Sequence, residues 1–383
     1  MKSYNHLYEK VYDRKNLAKA LENSAKGKKN KKKSKEVNWC LEHSDKVVEE
    51  LHDLLVNETY QFRRHQPQII NDGISRKERC IIKPDYKEEQ ILHHAVIQVL
   101  SPIIMKSMDA HCCGSVPGRG GTHGKKYLNK FIRKHPKHCK YCLKLDVKHF
   151  FQSVSHEKLK LLIRRKIHDE RMCRLLFAII NNYEDTPGKG IPIGYYTSQW
   201  FANWYLEGLD HYIKEVLQAK CMVRYMDDIV IFGSNKRTLH KQKLLIEEYL
   251  KEKLDLELNH KWQVFRFDYC YIDRNGDIRT GGRFLDFLGY RFYRNRTTMR
   301  RSIMFKATRK AKRIKKPTWY TASQMMSYLG RMKETDTDNV FQNYIKDNVN
   351  VKQLRKTISK HQRRLNDEHK LEEVRKLGEA QGD

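Results

Sequence analysis

The run Val223-Arg-Tyr-Met-Asp-Asp-Ile-Val-Ile-Phe232 sets two adjacent carboxylates, Asp227 and Asp228, in an otherwise β-branched and aromatic stretch. Such a pattern predicts a hairpin over Met222–Phe232. Met-Asp is a poor choice for its turn, which normally wants Gly or Asn. Burying two ionised acids is costly unless a cation answers them. A chain that accepts both penalties at one point is shaped there by function rather than stability. The answering charge is either an arginine, with Arg224 adjacent, or a bound cation.

A third acid, Asp146, ends the run Leu-Lys-Leu-Asp and precedes Phe150 and Phe151. Three acids on neighbouring strands suit two hard divalent cations about 4 Å apart, an arrangement that drives phosphoryl transfer.

Around these acids, residues 1–60 read as helices split by a cationic loop from Lys26 to Lys35. Short strands follow over 61–85 with a turn at Asp72-Gly73, then a helix over 87–108. A Gly-rich loop spans Gly114–Gly124 and a strand runs from Tyr141 to Val147. Ser155 caps the next helix. A Pro/Gly loop leads to a long helix from about Ser198 to Leu217. A helix over 236–254 and a strand over Phe284–Phe292 follow. From Ser302 onward the chain reads as basic helix, broken at Pro317. The alternation predicts an α+β fold, helices on one face of an antiparallel sheet.

Lys and Arg number 77 against 46 Asp and Glu, a net charge of +31 over 383 residues. So large an excess repels itself and asks for a polyanion, either nucleic acid or an acidic membrane surface. Cations run along the whole chain with no apolar anchor beside them, which favours nucleic acid. No run of about 18 apolar residues exists to span a membrane. The nine scattered cysteines suit a reduced, cytoplasmic protein, and no apolar leader precedes residue 20. Cys139 and Cys142 form a CxxC beside His138, but a zinc site wants a second spaced pair.

The order of Asp146, a Gly-Pro loop and Tyr225-Met-Asp-Asp228 resembles the palm of reverse transcriptases. The resemblance implies a right-hand polymerase fold: a helical extension over 1–60, fingers over 61–140, palm over 141–300, and a helical thumb with basic tail over 301–383. It implies catalysis by Asp146, Asp227, Asp228 and Lys261. Two Mg2+ ions, with Mn2+ able to substitute, would be held by Asp146, Val147, Asp227 and Asp228. Lys261, in LELNHK, corresponds to a lysine that protonates the leaving pyrophosphate.

The same resemblance assigns the nucleotide to Lys77, Arg79, Arg119, Phe151, Gly194 and Gln199. Phe151 matches the aromatic gate against a ribose 2′-hydroxyl. Gly194 lets backbone approach the nucleotide and template. FLDFLGY resembles the primer grip, with Phe287, Leu288, Gly289 and Tyr290. Most relatives carry Gln at the position of Ile193. Here the pattern is IGxxxSQ, with Ser198 and Gln199, which resembles the enzymes of diversity-generating retroelements and some unclassified bacterial relatives.

The partners implied are a structured RNA template, a DNA or RNA primer, dNTPs and an accessory protein. Anti-phage defence is the alternative setting. A non-catalytic, maturase-like RNA-binding protein would have no need of the acids. An RNA-templated RNA polymerase would carry a small residue at 151.

Overall fold

The computed structural model describes residues 3–26, 35–71 and 78–379. The Asp72-Gly73 turn, Lys77 and most of the cationic loop fall outside the described residues. The chain divides into two compact units, Met1–Phe267 and Asp268–Asp383.

The first unit opens with α1 (Tyr8–Tyr12), α2 (Arg14–Ala25), α3 (Lys35–Glu42) and α4 (Ser44–Val56). A β-ribbon of β1 (Gln68–Asn71) and β2 (Glu78–Ile81) follows, then α5 (Ile91–Ser107) and α6 (Gly121–Lys134). Next come β3 (Tyr141–Asp146), α7 (Phe150–Ser153), α8 (His156–Arg164), α9 (Glu170–Asn181), α10 (Tyr196–Tyr205) and α11 (Glu207–His211). The hairpin strands β4 (Cys221–Tyr225) and β5 (Asp228–Gly233), α12 (Lys236–Leu254) and β6 (Gln263–Arg266) complete it.

The central sheet is antiparallel in the order β4-β5-β3-β6. Its inner strand β5 is apolar because both of its edges are paired, and Ile229 to Phe232 are all buried. One core cluster joins this sheet to α5, α8–α10 and the four N-terminal helices. The N-terminal helices are fastened by specific bonds as well. The Asn16 Nδ2 group donates to the Ala95 carbonyl of α5 at 3.2 Å, and the Tyr8 hydroxyl to Leu55 at 2.6 Å. Asp169 accepts amides from Leu7, Tyr8 and Met172, capping α9 while holding the start of α1.

Several expected elements changed form. Ser155 caps α8 as expected, accepting from the Lys158 amide. The helix expected over Ser198–Leu217 begins at Tyr196 and breaks after Tyr205 into α11 and a wide turn over Tyr212–Val216. The basic stretch 121–134 is the helix α6, because Leu128 and Ile132 recur at helical spacing and bury against β4.

In the second unit, β7 (Tyr269–Ile272) pairs β8 (Ile278–Gly281). The sheet β11-β10-β9 is built from β9 (Leu285–Phe287), β10 (Tyr290–Phe292) and β11 (Thr297–Met299). The strand expected over Phe284–Phe292 is therefore a hairpin, turning at Leu288 and Gly289, both at positive φ. Helices α13 (Arg301–Arg313), α14 (Trp319–Lys333), α15 (Asp338–Tyr344) and α16 (Val351–Glu379) follow, with a core of their own around Met325 and Leu329. Pro317 falls in the break between α13 and α14.

Candidate active site

Strand pairing brings the three acids together. Asp146 at the end of β3 lies opposite Asp228 at the start of β5, and Tyr225 closes the β4–β5 hairpin against Asp228. This leaves Met226 and Asp227 as a two-residue turn. Its first position takes φ +56°, where such turns usually place glycine. The Val147 amide donates to the Asp227 carbonyl at 3.3 Å, tying the turn to the end of β3.

Burial pushes the Asp227 carboxyl up to about 7, partly offset by its own backbone amide. Asp228 and Asp146 raise it further by repulsion, and the Asp146 carboxylate lies within hydrogen-bond reach. Near neutral pH the Asp227 carboxyl is therefore partly protonated unless a cation replaces the proton. Among the described residues, no three His, Cys, Asp or Glu side chains converge on one finished cage. The donor set is nonetheless all oxygen and gathers three carboxylates. Both properties fit hard divalent ions.

Arg224, the nearest candidate counter-ion, is committed elsewhere. It and Asp210 of α11 are both fully buried, with Nε and Nη2 donating to the two carboxylate oxygens at 2.7 and 2.6 Å. Arg224 Nη1 also donates to Asn203 Oδ1 at 3.1 Å and to the Met226 carbonyl at 3.0 Å. The pair thus supports the strained turn from below. Gly114 supports it from the side: a Cβ there would stand 2.6 Å from the Met226 amide nitrogen. The Gly114 carbonyl in turn accepts from Asn203 Nδ2 at 2.8 Å.

Asn259 anchors the third acid. Its amide nitrogen donates to the Asp146 carbonyl at 2.7 Å and its Nδ2 to Asp146 Oδ2 at 2.9 Å. Its Oδ1 accepts from the Lys261 amide at 3.1 Å, so one side chain joins the acid to the turn that carries Lys261. The Lys261 side chain is exposed.

The other expected residues are distributed as follows. Phe151 is half-buried in α7 against the core, and its carbonyl accepts from Ile191 at 2.8 Å, joining the aromatic to the Pro/Gly loop. Gly194 has φ +129°, and a Cβ there would fall 2.0 Å from the Ile82 carbonyl oxygen. Its bare Cα therefore admits the backbone just past β2, where Ile82 donates to the Ile193 carbonyl at 2.8 Å. Ser198 is buried and Gln199 exposed in the first turn of α10. Arg79 lies on exposed β2. Arg119 donates to the Asp109 carbonyl at 2.8 Å, within its own loop. In the second unit Phe287 and Tyr290 are core residues, and Leu288 and Gly289 are half-buried in their turn.

Asn203, Asp210, Arg224 and Asn259 were not among the expected site residues. An Arg inside an apolar strand and an Asp on the apolar side of a helix were the available signals, since each needs a buried partner.

All nine cysteines are free, and no described helix is long and apolar enough to cross a membrane. The family model described as reverse transcriptase (RNA-dependent DNA polymerase) matches residues 71–330. No curated protein matches the sequence. Among solved structures, the chain is similar to apo telomerase from Candida tropicalis, at 14% identity and TM-score 0.47, covering 78% of this chain and 58% of that one. It is likewise similar to telomerase from Candida tropicalis in complex with the TWJ fragment of telomeric RNA, at 14% identity and TM-score 0.47, covering 81% and 56%. For the Candida albicans counterpart the values are 12%, 0.42, 76% and 56%. The chain thus spans little more than half the length of these telomerases. With the family model matched over well over half of its residues, the chain belongs to the reverse transcriptase family and carries that family's α+β right-hand polymerase fold.

Proposed function

We propose that this protein is an RNA-directed DNA polymerase that copies a dedicated structured RNA into cDNA, extending a DNA or RNA primer with dNTPs in the cytoplasm. The observation that carries the reading is the meeting of Asp146, Asp227 and Asp228 at one end of the sheet, with Arg224 turned away to Asp210. Asp146, Asp227, Asp228 and the Val147 carbonyl would hold two Mg2+ ions. Bound there, the ions would activate the primer hydroxyl and neutralise charge on the leaving phosphates.

The protein's own residues do the rest. Asn259 orients the Asp146 carboxylate. Lys261 donates a proton to the departing pyrophosphate. Phe151 leaves no room for a ribose 2′-hydroxyl. Arg79, Lys77 and Arg119 meet the triphosphate or template, and Gly194 with Gln199 lies along the template. Leu288 and Gly289, set by Phe287 and Tyr290, hold the primer backbone. The fingers are proposed over 61–140, the palm over 141–300 and the thumb with its basic tail over 301–383, so the division between the two compact units at Phe267 falls within the proposed palm.

The pattern Ile193-Gly194 with Ser198-Gln199 favours a diversity-generating retroelement, served by an accessory protein. Anti-phage defence is the second setting. A neighbouring target-gene repeat with adenine-directed changes would decide for the first.

The activity is tested by primer extension on poly(rA)/oligo(dT) with dTTP and Mg2+. Incorporation is expected. Tight RNA binding without incorporation would instead favour a non-catalytic, maturase-like protein.

A further inference from the structure

The end of the four-stranded sheet opposite the carboxylates is rimmed by cations. Asp146 and Asp228 lie at one end of β3 and β5. The other end is where β3 begins at Tyr141, β4 begins at Cys221 and β5 finishes at Gly233. Six residues of β3 separate the two ends, about 17 Å at some 3.3 Å per residue. Lys140, Lys220, and Lys236 with Arg237 flank those three strands at the far end, and all four are exposed.

Helix α6 extends the same surface. Residues 110–145 contain nine Lys and Arg and no Asp or Glu. Leu128 and Ile132 bury one side of α6. Lys126, Lys130, Arg133 and Lys134 recur at helical spacing on its exposed side, and Lys137 continues the row in the following turn. Lys126 and Lys134 are eight residues apart, about 12 Å along the axis, the rise of about three phosphates on one strand.

On the exposed row itself, Lys126, Lys130, Arg133, Lys134 and Lys137, and at the strand ends, Lys140, Lys220, Lys236 and Arg237, no carboxylate partner is found among the described residues, in contrast to Arg14, Arg164 or Lys158. Glu215, the acid nearest Lys220 in sequence, is held by His211 at 2.7 Å. So dense a row without counter-charges costs self-repulsion, which a polyanion removes.

Rings line the row. His111 lies against Tyr127, tilted by 34° with centroids 3.7 Å apart, Phe131 follows at 6.2 Å, and His135 at 4.9 Å beyond it. Phe131 is half-buried and His135 exposed. Cations for phosphates beside rings for unpaired bases suit a folded RNA with loops better than a uniform duplex or a lipid surface.

We propose that α6 and the adjoining strand ends form a second RNA-binding surface, reaching the end of the sheet opposite the carboxylates, which holds the structured part of the template RNA while another part is copied. The inference rests on the polymerase reading above. It adds a place where RNA is gripped outside the reaction.

The test reverses three exposed charges, Lys130→Glu, Lys134→Glu and Lys137→Glu, in the full chain. The same reversal at Lys241, Lys251 and Lys253 of α12 controls for net charge. Two quantities are measured: affinity for a stem-loop RNA of about 40 nucleotides at several salt concentrations, and extension on poly(rA)/oligo(dT). The α6 variant is expected to lose roughly tenfold or more in stem-loop affinity and to show a salt slope shallower by about 2–3. Its extension rate stays within about twofold of wild type, and the α12 variant behaves as wild type in both assays. Unchanged stem-loop affinity in the α6 variant overturns the proposal. Equal loss in the α12 variant, or equal loss of extension, overturns it as well. Failure of the wild type to extend poly(rA)/oligo(dT) would instead strike the polymerase reading, and the binding comparison would still decide on the surface.

Discussion

Arg224 and Asp210 form a bidentate ion pair, neither of them exposed, and the same guanidinium donates to the carbonyl of Met226 in the turn that presents Asp227. The guanidinium beside the acidic pair in sequence is therefore structural. A non-glycine residue at positive φ costs about 1–2 kcal/mol. Arg224 and Gly114 hold Met226 there, and the turn aims Asp227 at Asp146.

Removing one member of that pair strands a buried charge. Arg224→Met is expected to cost about 3–5 kcal/mol, and Asp210→Leu a similar amount. The double variant Arg224→Met/Asp210→Leu recovers much of the stability but little activity, because the Met226 carbonyl still lacks its donor. Thermal unfolding of the three variants together with primer extension checks this. Additive losses in the double variant would refute the coupling.

Gly194→Ala is expected to abolish activity and destabilise the protein. Its Cβ would collide with the Ile82 carbonyl, and Ala tolerates φ +129° poorly. Gly118→Ala provides the contrast: its φ is also positive, at +73°, yet nothing stands within 4 Å of a Cβ there. Only backbone strain of roughly 1 kcal/mol is expected from it. Melting temperatures of the two variants compare the effects directly.

Asn259→Ala is expected to lower the extension rate by about 10–100-fold, the usual effect of removing a residue that orients a metal-binding carboxylate. The melting temperature should change little, since Asn259 is only partly buried. The Mg2+ concentration for half-maximal rate should rise. A loss of stability matching the loss of rate would make Asn259 merely structural.

The raised Asp227 carboxyl gives a pH dependence of definite sign. In the metal-free protein the protonated form is favoured, so this group's contribution to stability is present in acid and is lost as pH rises through about 7. Mg2+ bound as proposed would compete with that proton. Added Mg2+ should therefore raise the melting temperature more at pH about 8 than at pH about 6, and its binding near pH 7 should release a proton. Equal shifts at both pH values would place the proton elsewhere.

Much of this centre was legible in the sequence because its signals are local. The acid pair contradicts its apolar surroundings within ten residues, and the hairpin follows from strand composition. The supporting residues were harder to read. Asp210 and Arg224 are 14 positions apart and meet only when α11 packs beneath β4. Gly194 read as a point where backbone approaches nucleotide and template, and no local signal showed that the backbone oxygen of Ile82, 112 residues earlier, also packs against it. Phe287 and Tyr290 read as primer contacts by the resemblance of their motif, and the pairing of β9 with β10 turns both inward. Helix α6 was hidden by its charge: two buried aliphatics in a cationic run make a weak pattern until β4 covers them.

The most direct test is primer extension on an RNA template by wild type, Asp146→Asn and Asp227→Asn, with RNA binding measured in parallel. Catalysis by these acids requires Mg2+-dependent dNTP incorporation by the wild type, incorporation at background in both variants, and unchanged RNA affinity in all three. Wild-type rates from either variant would contradict it.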